Sequence, residues 1–336
     1  MITNPEGKSR YIILCNHRHR ILPSKIPPSI NLQFTPTTLN SHRKTTMSTT
    51  TQTTTSSSTF QTISTHDSSY IPRGTVTAQL QFYKPPTDNS KPFNYVEKAP
   101  EGQPQRNFGD DDLPVTVQDI RSHESSFNID TNAFAALSSI PPSKEISFND
   151  DESVKTSYYP EVEELLLKHV PGAKRIFLFD HTIRRASPSA SRAPVTRVHI
   201  DQTVASAAAR VHHHLPSEAA DLLKGRVRII NVWRPINGSV QSFPLAFADS
   251  TSVPNEAMVG IEHRYPDRTG ETAAVQYTDG QRWHYWSGMD GSERLLLQCY
   301  DSENGARVPH TAFVDPRSPE GARPRESIEV RALVFG

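Results

Sequence analysis

Cysteine and long apolar segments are scarce in this chain. Its 336 residues include two cysteines, Cys15 and Cys299, which are too far apart to suggest a disulfide framework and fit a reducing compartment. No apolar run approaches the ~20 residues that cross a bilayer, and the run that starts at Tyr11 is shorter than the core of a signal peptide. These absences predict a soluble, cytoplasmic protein that does not span a membrane.

A net charge is also absent. Lysine and arginine together number 36, as do aspartate and glutamate, so the formal net charge is zero. A domain that binds nucleic acid or an anionic membrane usually carries a basic surface, and we therefore expect neither partner. The 35% of hydrophobic residues is enough for one large core, and the length allows one or two domains.

The first 70 residues differ from the rest. Proline, serine, threonine and basic residues dominate them, and a serine- and threonine-rich tract follows Met47. Such a segment buries too little apolar surface to offset the entropy lost on ordering. Residues 1–70 are therefore predicted to be a disordered, low-complexity segment ahead of a domain at 71–336. The basic, acid-poor start also fits a mitochondrial presequence, but no amphipathic helix supports it, and a true start at Met47 is the preferred alternative.

Short strands separated by turns dominate the chain after Gly74. Closely spaced strands with turn signals are typical of an all-β barrel or sandwich. Helices are predicted at 158–169, at 203–215 with Thr203 as N-cap, and from Ser217 to residue 225. We expect a mainly β fold with flanking helices, a double-stranded β-helix (jelly-roll) barrel, with a loop at 84–115. The strands are predicted at 74–83, 115–121, 174–184, 195–201, 226–234, 245–248, 258–263, 272–277, 283–286, 294–299, 311–314 and 328–335.

The strand at 195–201 carries a pattern that indicates a metal site. Side chains two apart on a strand share a face, so His199 and Asp201 lie together while Val198 and Ile200 face the other way. An imidazole and a carboxylate are two of the three ligands in a 2-His-1-carboxylate iron site, which keeps positions open for a cosubstrate and oxygen. A chance hydrogen-bonded or surface pair is the alternative for so short a motif.

A third ligand has to come from a distant strand. His310 stands at the start of a predicted strand near the C-terminus, 111 residues after His199 (310 minus 199), which leaves room for several strands between them. The adjacent histidines at 212–214 point in different directions on a helix. His263 has charged neighbours, and His284 lies between aromatic residues and is expected to pack or to contact substrate. His310 is therefore the predicted third ligand.

An arginine and a serine follow at a spacing that suits a carboxylate. Arg325 and Ser327 share a face of the last strand, and a guanidinium with a hydroxyl can bind a carboxylate through paired hydrogen bonds. Pro324 indicates that the strand starts beyond Arg323, and Arg331 would lie roughly 20 Å from Arg325 along the strand. Each competing arginine could equally be a solvated surface charge. The competitors are Arg317, Arg323 and Arg331.

These residues also carry a family resemblance. A His-x-Asp pair, a distal His and then Arg-x-Ser resemble the iron(II)/2-oxoglutarate-dependent dioxygenases of the double-stranded β-helix fold. Five longer runs resemble a fungal family in that superfamily, whose members are labelled gibberellin-desaturase-like or related to 7α-cephem-methoxylase and are hydroxylases or desaturases of secondary metabolism. The resemblance covers residues 74–336. The runs lie at 225–236, 262–266, 295–302, 309–316 and 322–332.

The resemblance implies an enzyme that hydroxylates or desaturates a small-molecule secondary metabolite with O2. Iron(II) would be held by His199, Asp201 and His310, and the far carboxylate of the cosubstrate 2-oxoglutarate by Arg325 and Ser327. Nothing in the residues names the substrate, chooses between the two reactions or sets the oligomeric state. A non-catalytic β-barrel that acts as an accessory or binding protein is one alternative. A methyltransferase-like tailoring protein is the other, which the lack of a glycine-rich nucleoside fingerprint disfavours.

Overall fold

A computed structural model describes residues 70–187 and 190–336. The predicted disorder of residues 1–70 and the alternative start at Met47 lie outside these residues, apart from Tyr70. In the part of the chain that is described, no helix is long and apolar enough to cross a membrane.

Strands form two β-sheets in the described ranges. Sheet A has nine strands in the order β1-β3-β11-β8-β13-β6-β10-β9-β2, and sheet B has five in the order β4-β12-β7-β14-β5. Neighbours are mostly antiparallel, with parallel pairs at β3–β11 and β2–β9. The prediction of a mainly β fold is confirmed. The bounds are β1 (Val76–Lys84), β2 (Phe93–Tyr95), β3 (Gly109–Asp119), β4 (Phe134–Leu137), β5 (Arg175–Arg185), β6 (His199–Ile200), β7 (Val227–Pro235), β8 (Leu245–Ala248), β9 (Met258–Arg264), β10 (Thr269–Val275), β11 (Trp283–Tyr285), β12 (Arg294–Asp301), β13 (His310–Ala312) and β14 (Glu326–Phe335).

Short helices flank the sheets. The α-helices are α1 (Ile129–Asn132), α2 (Asp151–Ser153), α3 (Tyr159–His169), α4 (Val204–His214) and α5 (Ala219–Leu222). A π-helical segment at Val154–Tyr158 joins α2 to α3, and 3-10 turns lie at Glu124–Ser126, Ser250–Ser252 and Asn255–Ala257. The helices predicted near 158–169 and 203–215 are therefore present as α3 and α4.

Capping explains where α4 begins. The start of α5, by contrast, differs from the predicted start at Ser217. The Thr203 hydroxyl accepts a hydrogen bond from the Ser206 backbone N–H, and the Ser206 hydroxyl accepts one from the Thr203 N–H, which together form a capping box. Glu218, and not Ser217, precedes the first residue of α5, and its side chain makes no cap hydrogen bond.

Sheet B has an apolar face under α3 and a mixed face toward sheet A, where Ile229 and Leu333 belong to the core between the sheets. Ile230 and Val232 of β7 and Val330 of β14 bury their side chains in one cluster with Leu165 and Leu166 of α3. Successive side chains on a strand point to opposite faces, so the residues between them face sheet A. Several of these are buried and polar, namely Asn231, Ser327, Glu329 and Arg331.

The layer under α3 gives a direct test of this arrangement. Leu166 is 0% exposed, whereas its neighbour Leu167 is 42% exposed. Leu166→Ala is expected to lower the free energy of unfolding by about 2–5 kcal/mol, because it removes buried methyl groups and leaves a cavity. Leu167→Ala should change it by no more than about 0.5 kcal/mol. Urea unfolding of both variants checks this, and equal losses would contradict the packing described.

Two strands differ from the sequence prediction for physical reasons. β3 starts at Gly109, inside the predicted loop, and pairs with β1 over its full length. Aspartates at 110–112 lower its intrinsic strand propensity, but Asp110 forms ion pairs with Arg106 and Arg197 that compensate. β6 is shorter than predicted, since only His199–Ile200 pairs regularly.

Candidate metal centre

Two neighbouring strands of sheet A bring the predicted ligands together. β6 and β13 lie side by side with His310 directly opposite His199, and Asp201 directly follows β6. Ligand atoms of the three side chains all lie within 4.8 Å of one another. Among the described residues, no other group of three or more histidine, cysteine or acidic side chains is close enough to hold a metal ion.

Both imidazoles are fixed through the same ring atom. His199 Nδ1 lies 2.8 Å from the Arg197 carbonyl oxygen, and His310 Nδ1 lies 3.2 Å from that of Val308. A carbonyl oxygen only accepts, so Nδ1 carries the proton of each neutral ring and Nε2 the lone pair. A hydrogen bond of this kind is typical of metal-binding histidines, and it leaves both Nε2 atoms free to coordinate.

The two oxygens of Asp201 have different surroundings. Oδ1 lies 3.5 Å from His199 Nε2. Oδ2 accepts hydrogen bonds from Asn231 Nδ2 at 2.8 Å and from Arg331 Nε at 2.7 Å. Sheet B therefore holds one oxygen of the carboxylate, while the other faces the imidazole.

Burial and neighbouring charge set the protonation states of the group. Burial alone would raise the pKa of Asp201, but the Arg331 guanidinium and the adjacent His199 hold that pKa well below its ordinary value. Burial lowers the pKa of His310 to about 4, and the proximity of His199 contributes. At neutral pH Asp201 is a carboxylate and His310 a neutral imidazole, which are the forms that bind metal.

The other histidines considered from the sequence do not belong to this group. His263 Nε2 makes a 2.8 Å hydrogen bond with a threonine hydroxyl of β10. His284 is 4% exposed and its ring centroid lies 4.9 Å from that of Phe127, so packing, one of its two expected roles, describes it. His214, at the end of α4, stacks on Phe179 with ring centroids 5.2 Å apart.

A cleft lies beside the three ligands. His199 and His310 line it, together with Arg325 and Ser327, which the sequence singled out for carboxylate binding. Arg325 and Ser327 are 2% and 1% exposed, so both side chains are buried. The cleft is lined further by Thr182, Arg184, Val195, Trp233, Leu245, Ala312 and Glu329.

Arg325 forms no salt bridge within the described ranges. Its Nη1 donates to the Phe243 carbonyl oxygen at 2.5 Å, its Nε has no partner, and its Cζ lies 5.4 Å from the centre of the Trp233 ring. Burial lowers the pKa of Arg325 to about 9, and nearby Arg184 adds to the effect. A buried cation with an unused donor is stabilised when an anion completes its hydrogen bonds.

The competing arginines are engaged elsewhere. Arg317 forms an ion pair with Asp315 at 2.8 Å, and Arg323 donates to a backbone carbonyl at 2.9 Å. The surface position considered for Arg331 is wrong, because its side chain is 12% exposed and contacts Asp201. Six residues along β14, or about 20 Å, separate it from Arg325.

Sequence reasoning did not predict which residues lie opposite each other on neighbouring strands of sheet B. Across β7, β14 and β5, these rows of opposite residues are Asn231–Arg331–Asp180, Trp233–Glu329–Thr182 and Pro235–Ser327–Arg184. The alternating polar residues of β14 were visible in the sequence as a signal. Their partners were not, because pairing between strands that are far apart in the sequence leaves no local pattern. Arg184 and Glu329 are the cleft residues that this pairing adds.

A groove of about 430 Å³ lies next to the cleft, and Ala312 borders both. None of the three predicted ligands lines this groove, although it is larger than the cleft. Its other lining residues are Thr77, Ala78, Gln79, Gln81, Asp112, Thr196, Phe313, Val314 and Pro316.

Comparison with known proteins decides the family. A family model described as oxidoreductase/YMDC permease-like domain matches residues 80–335. The hydroxylase/desaturase poxK of Penicillium oxalicum is 35% identical over 299 residues, which cover 79% of this chain and 92% of poxK. The Fe(II)/2-oxoglutarate-dependent dioxygenase nvfI of Aspergillus novofumigatus is 30% identical over 268 residues, which cover 77% of this chain and 96% of nvfI. The chain belongs to this family of iron(II)/2-oxoglutarate-dependent dioxygenases.

A solved structure supports the same conclusion for the fold of the dioxygenase. The iron and alpha-ketoglutarate-dependent endoperoxidase NvfI matches it with a TM-score of 0.73 at 29% identity, over 79% of this chain and 99% of the NvfI chain. The predicted jelly-roll fold, the enzyme class and the cofactors iron(II) and 2-oxoglutarate are confirmed. Dioxygenases of this kind act on small molecules with O2. The comparisons give no support to an accessory or methyltransferase-like role.

The residues of the dioxygenase fit the metal that the family uses. Two imidazole nitrogens and one carboxylate are the donor set of non-haem iron(II) oxygenases, and they leave positions for a cosubstrate and oxygen. The side chains of His199 and Asp201 are 22% and 12% exposed, whereas His310 is buried. His199 and His310 line the cleft, so the group can be reached from it.

Proposed function

We propose that this dioxygenase binds iron(II) through His199, Asp201 and His310, binds 2-oxoglutarate through Arg325 and Ser327, and hydroxylates or desaturates a small-molecule secondary metabolite. One observation carries the proposal. Ligand atoms of two histidines and an aspartate converge within 4.8 Å, beside a cleft that contains a buried arginine with no salt bridge to a described residue.

The protein prepares the metal position through its own hydrogen bonds. His199 and His310 each present Nε2 because a backbone carbonyl holds Nδ1. Asp201 supplies the negative charge, and its orientation is set by donors from sheet B. Iron(II) and 2-oxoglutarate together supply O2 activation, in which the cosubstrate yields succinate and CO2 while hydrogen is removed from the substrate.

The other end of the cleft is built to receive a carboxylate. The Arg325 guanidinium offers a planar fork, and the Ser327 hydroxyl points from the same face of β14. Trp233, Val195 and Leu245 contribute apolar surface to the cleft. Apolar walls exclude water, which strengthens a charge-assisted hydrogen bond between Arg325 and the far carboxylate of 2-oxoglutarate.

The reaction outcome depends on how the substrate lies. The similar proteins are named hydroxylase/desaturase for poxK and endoperoxidase for NvfI, so one scaffold serves several oxidations. For this chain we infer hydroxylation or desaturation of a secondary metabolite. Both begin with removal of one hydrogen from a substrate carbon, and they differ in whether oxygen is then added or a second hydrogen is lost.

An anaerobic titration tests the proposed function. Adding iron(II) and 2-oxoglutarate to the protein should produce the weak visible charge-transfer band of the chelated cosubstrate. The band should be absent from His199→Ala. No band in the unmodified protein, or an unchanged band in the variant, would remove the proposal. Incubation with metabolite extracts, with and without 2-oxoglutarate, followed by comparison of metabolite masses, then identifies the substrate.

Arg184 tests whether a second arginine of the cleft contributes to 2-oxoglutarate binding. It lies opposite Ser327 in the β5–β14 pair, lines the cleft and forms no salt bridge with a described residue. Arg184→Met is expected to weaken 2-oxoglutarate binding to the metal-loaded protein about 10-fold, the lower end for loss of a charged hydrogen bond, because Arg184 is partly exposed.

Arg185→Met is the matched control for this prediction. Arg185 points to the other face of β5 and pairs with Glu326 at 2.7 Å, so its loss should leave 2-oxoglutarate binding unchanged. Calorimetric titration of manganese-loaded, oxygen-free protein measures both dissociation constants. Equal effects of the two variants would show that Arg184 does not contact the cosubstrate.

A further inference from the structure

Two hydrogen-bond donors of sheet B converge on one oxygen atom of the Asp201 carboxylate. Arg331 Nε at 2.7 Å and Asn231 Nδ2 at 2.8 Å both donate to Oδ2 of Asp201. We propose that Arg331 and Asn231 are positioning residues that hold Asp201 as a one-oxygen metal ligand. This inference rests on the proposed function, since it takes Asp201 as a ligand of iron(II).

The register of β7 and β14 directs both donor side chains toward Asp201. Asn231 of β7 and Arg331 of β14 are directly opposite each other in the antiparallel register, so their side chains leave sheet B from one point and on one face. Asn231 is 0% exposed. A carboxylate oxygen only accepts, so the amide must present its nitrogen to Asp201, which settles the orientation of the amide.

Arg331 cannot turn away from Asp201 without breaking other contacts. Its Nη1 donates to Asp180 at 3.0 Å and to the Thr182 hydroxyl at 3.1 Å, and its Nη2 donates to Glu329 at 2.5 Å. A guanidinium is planar and its donors have fixed directions. With the other two nitrogens held by β5 and β14, Nε points at Asp201, and the row of three strands acts as one rigid support.

The arrangement has a consequence for coordination. Oδ2 already accepts two hydrogen bonds, so Oδ1, 3.5 Å from His199 Nε2, is the oxygen left for the metal. An unrestrained carboxylate can bind a metal through both oxygens. That second bond would occupy one of the positions which the cosubstrate and O2 need in a 2-His-1-carboxylate site.

An ordinary buried ion network is the competing explanation. Arg331 also neutralises Glu329 and Asp180, so its loss could act on stability alone. Asn231 separates the two explanations because it is uncharged and belongs to no ion pair. If the donors position Asp201, removal of either one changes metal binding; if they only stabilise the fold, removal changes unfolding alone.

The test uses cobalt(II) alone as probe, because its visible spectrum reports the ligand geometry directly. Asn231→Leu and Arg331→Met are titrated with cobalt(II), and urea unfolding of the metal-free proteins is measured in parallel. Each variant is expected to bind cobalt(II) 10–100-fold more weakly, as is typical when the partner of a metal ligand is lost, with an altered spectrum.

Arg228→Met is the matched control. Arg228 is 1% exposed on β7, three residues from Asn231 and on the opposite face of the strand. Its replacement removes another buried guanidinium and is expected to lower stability while the wild-type cobalt(II) affinity and spectrum are kept. An affinity loss in all three variants that follows their loss of stability would assign Arg331 and Asn231 a structural role only.

Each remaining outcome also decides the question. Wild-type affinity and spectrum in folded Asn231→Leu and Arg331→Met would overturn the inference. If Arg331→Met does not fold, Asn231→Leu, which leaves every salt bridge in place, decides it alone. If the unmodified protein binds no cobalt(II), the proposed function itself fails, and this result is distinguishable from failure of the inference.

Discussion

His310→Ala is expected to abolish iron(II) binding and all conversion of 2-oxoglutarate to succinate. The substitution removes the proposed ligand on β13, and His199 and Asp201, at the end of β6, would not complete the site alone. Loss of a residue that hydrogen-bonds to a metal ligand typically lowers metal affinity or activity 10–100-fold. Loss of a direct ligand should exceed that range. Anaerobic iron(II) titration and succinate formation measure the effect.

His284→Ala is the control for the loss of a buried imidazole. His284 is 4% exposed and His310 is 3% exposed, and the pKa of each is lowered to about 4 by burial. His284 packs against Phe127 and Phe134 and lies outside the ligand group. Its replacement should leave a cavity and lower stability while iron(II) binding persists. Retention of iron(II) by His310→Ala would contradict the assignment of the third ligand.

Arg325→Met is expected to eliminate tight 2-oxoglutarate binding while metal binding is kept. Arg325 and the bound carboxylate would form a buried charge pair, and removal of one partner of such a pair costs about 2–5 kcal/mol. That cost corresponds to a dissociation constant that is roughly 30- to 4,000-fold larger. Calorimetric titration of 2-oxoglutarate into manganese-loaded, oxygen-free protein measures it, and manganese affinity itself should not change.

A cosubstrate analogue sharpens this prediction. 2-Oxovalerate keeps the chelating end of 2-oxoglutarate but lacks the far carboxylate, so the unmodified protein should bind it weakly, and Arg325→Met should bind both compounds alike. Arg323→Met is the matched control, because Arg323 lies two residues earlier and donates to the Ser239 carbonyl instead. Continued preference of Arg325→Met for 2-oxoglutarate would assign the far carboxylate to another residue.

The candidate site could be predicted from sequence to the extent that it depends on strand parity. His199 and Asp201 share a face because they are two apart, and the same rule groups Arg325 with Ser327. His310 was selected by its place at the start of a late strand, and the register puts it opposite His199. The three predicted metal ligands could therefore be found because each lies on or beside a short strand with a clear local sequence pattern.

The supports of the site could not be predicted, because they come from pairing between distant strands. Arg331 looked like a surface charge since its neighbours in sequence say nothing of Asp201, 130 residues earlier. Its burial follows from β14 lying between β7 and β5. The first half of β3 was missed for a related reason: the aspartates at 110–112 oppose a strand locally, and both pairing with β1 and the ion pairs of Asp110 offset them.

The two faces of β14 constrain how this chain can change in length. Ser327 and Glu329 line the cleft and Arg331, on the same face, contacts Asp201, whereas Ile328 and Val330 pack under α3. Deletion of a single residue inside the strand would exchange the faces, which would press three polar groups into the apolar layer and put aliphatic groups beside the iron. Deletion of two would restore the faces but move Arg331 past Asp201 by one row. Insertions and deletions are therefore expected in the connection ahead of the strand, at 315–324, rather than inside it.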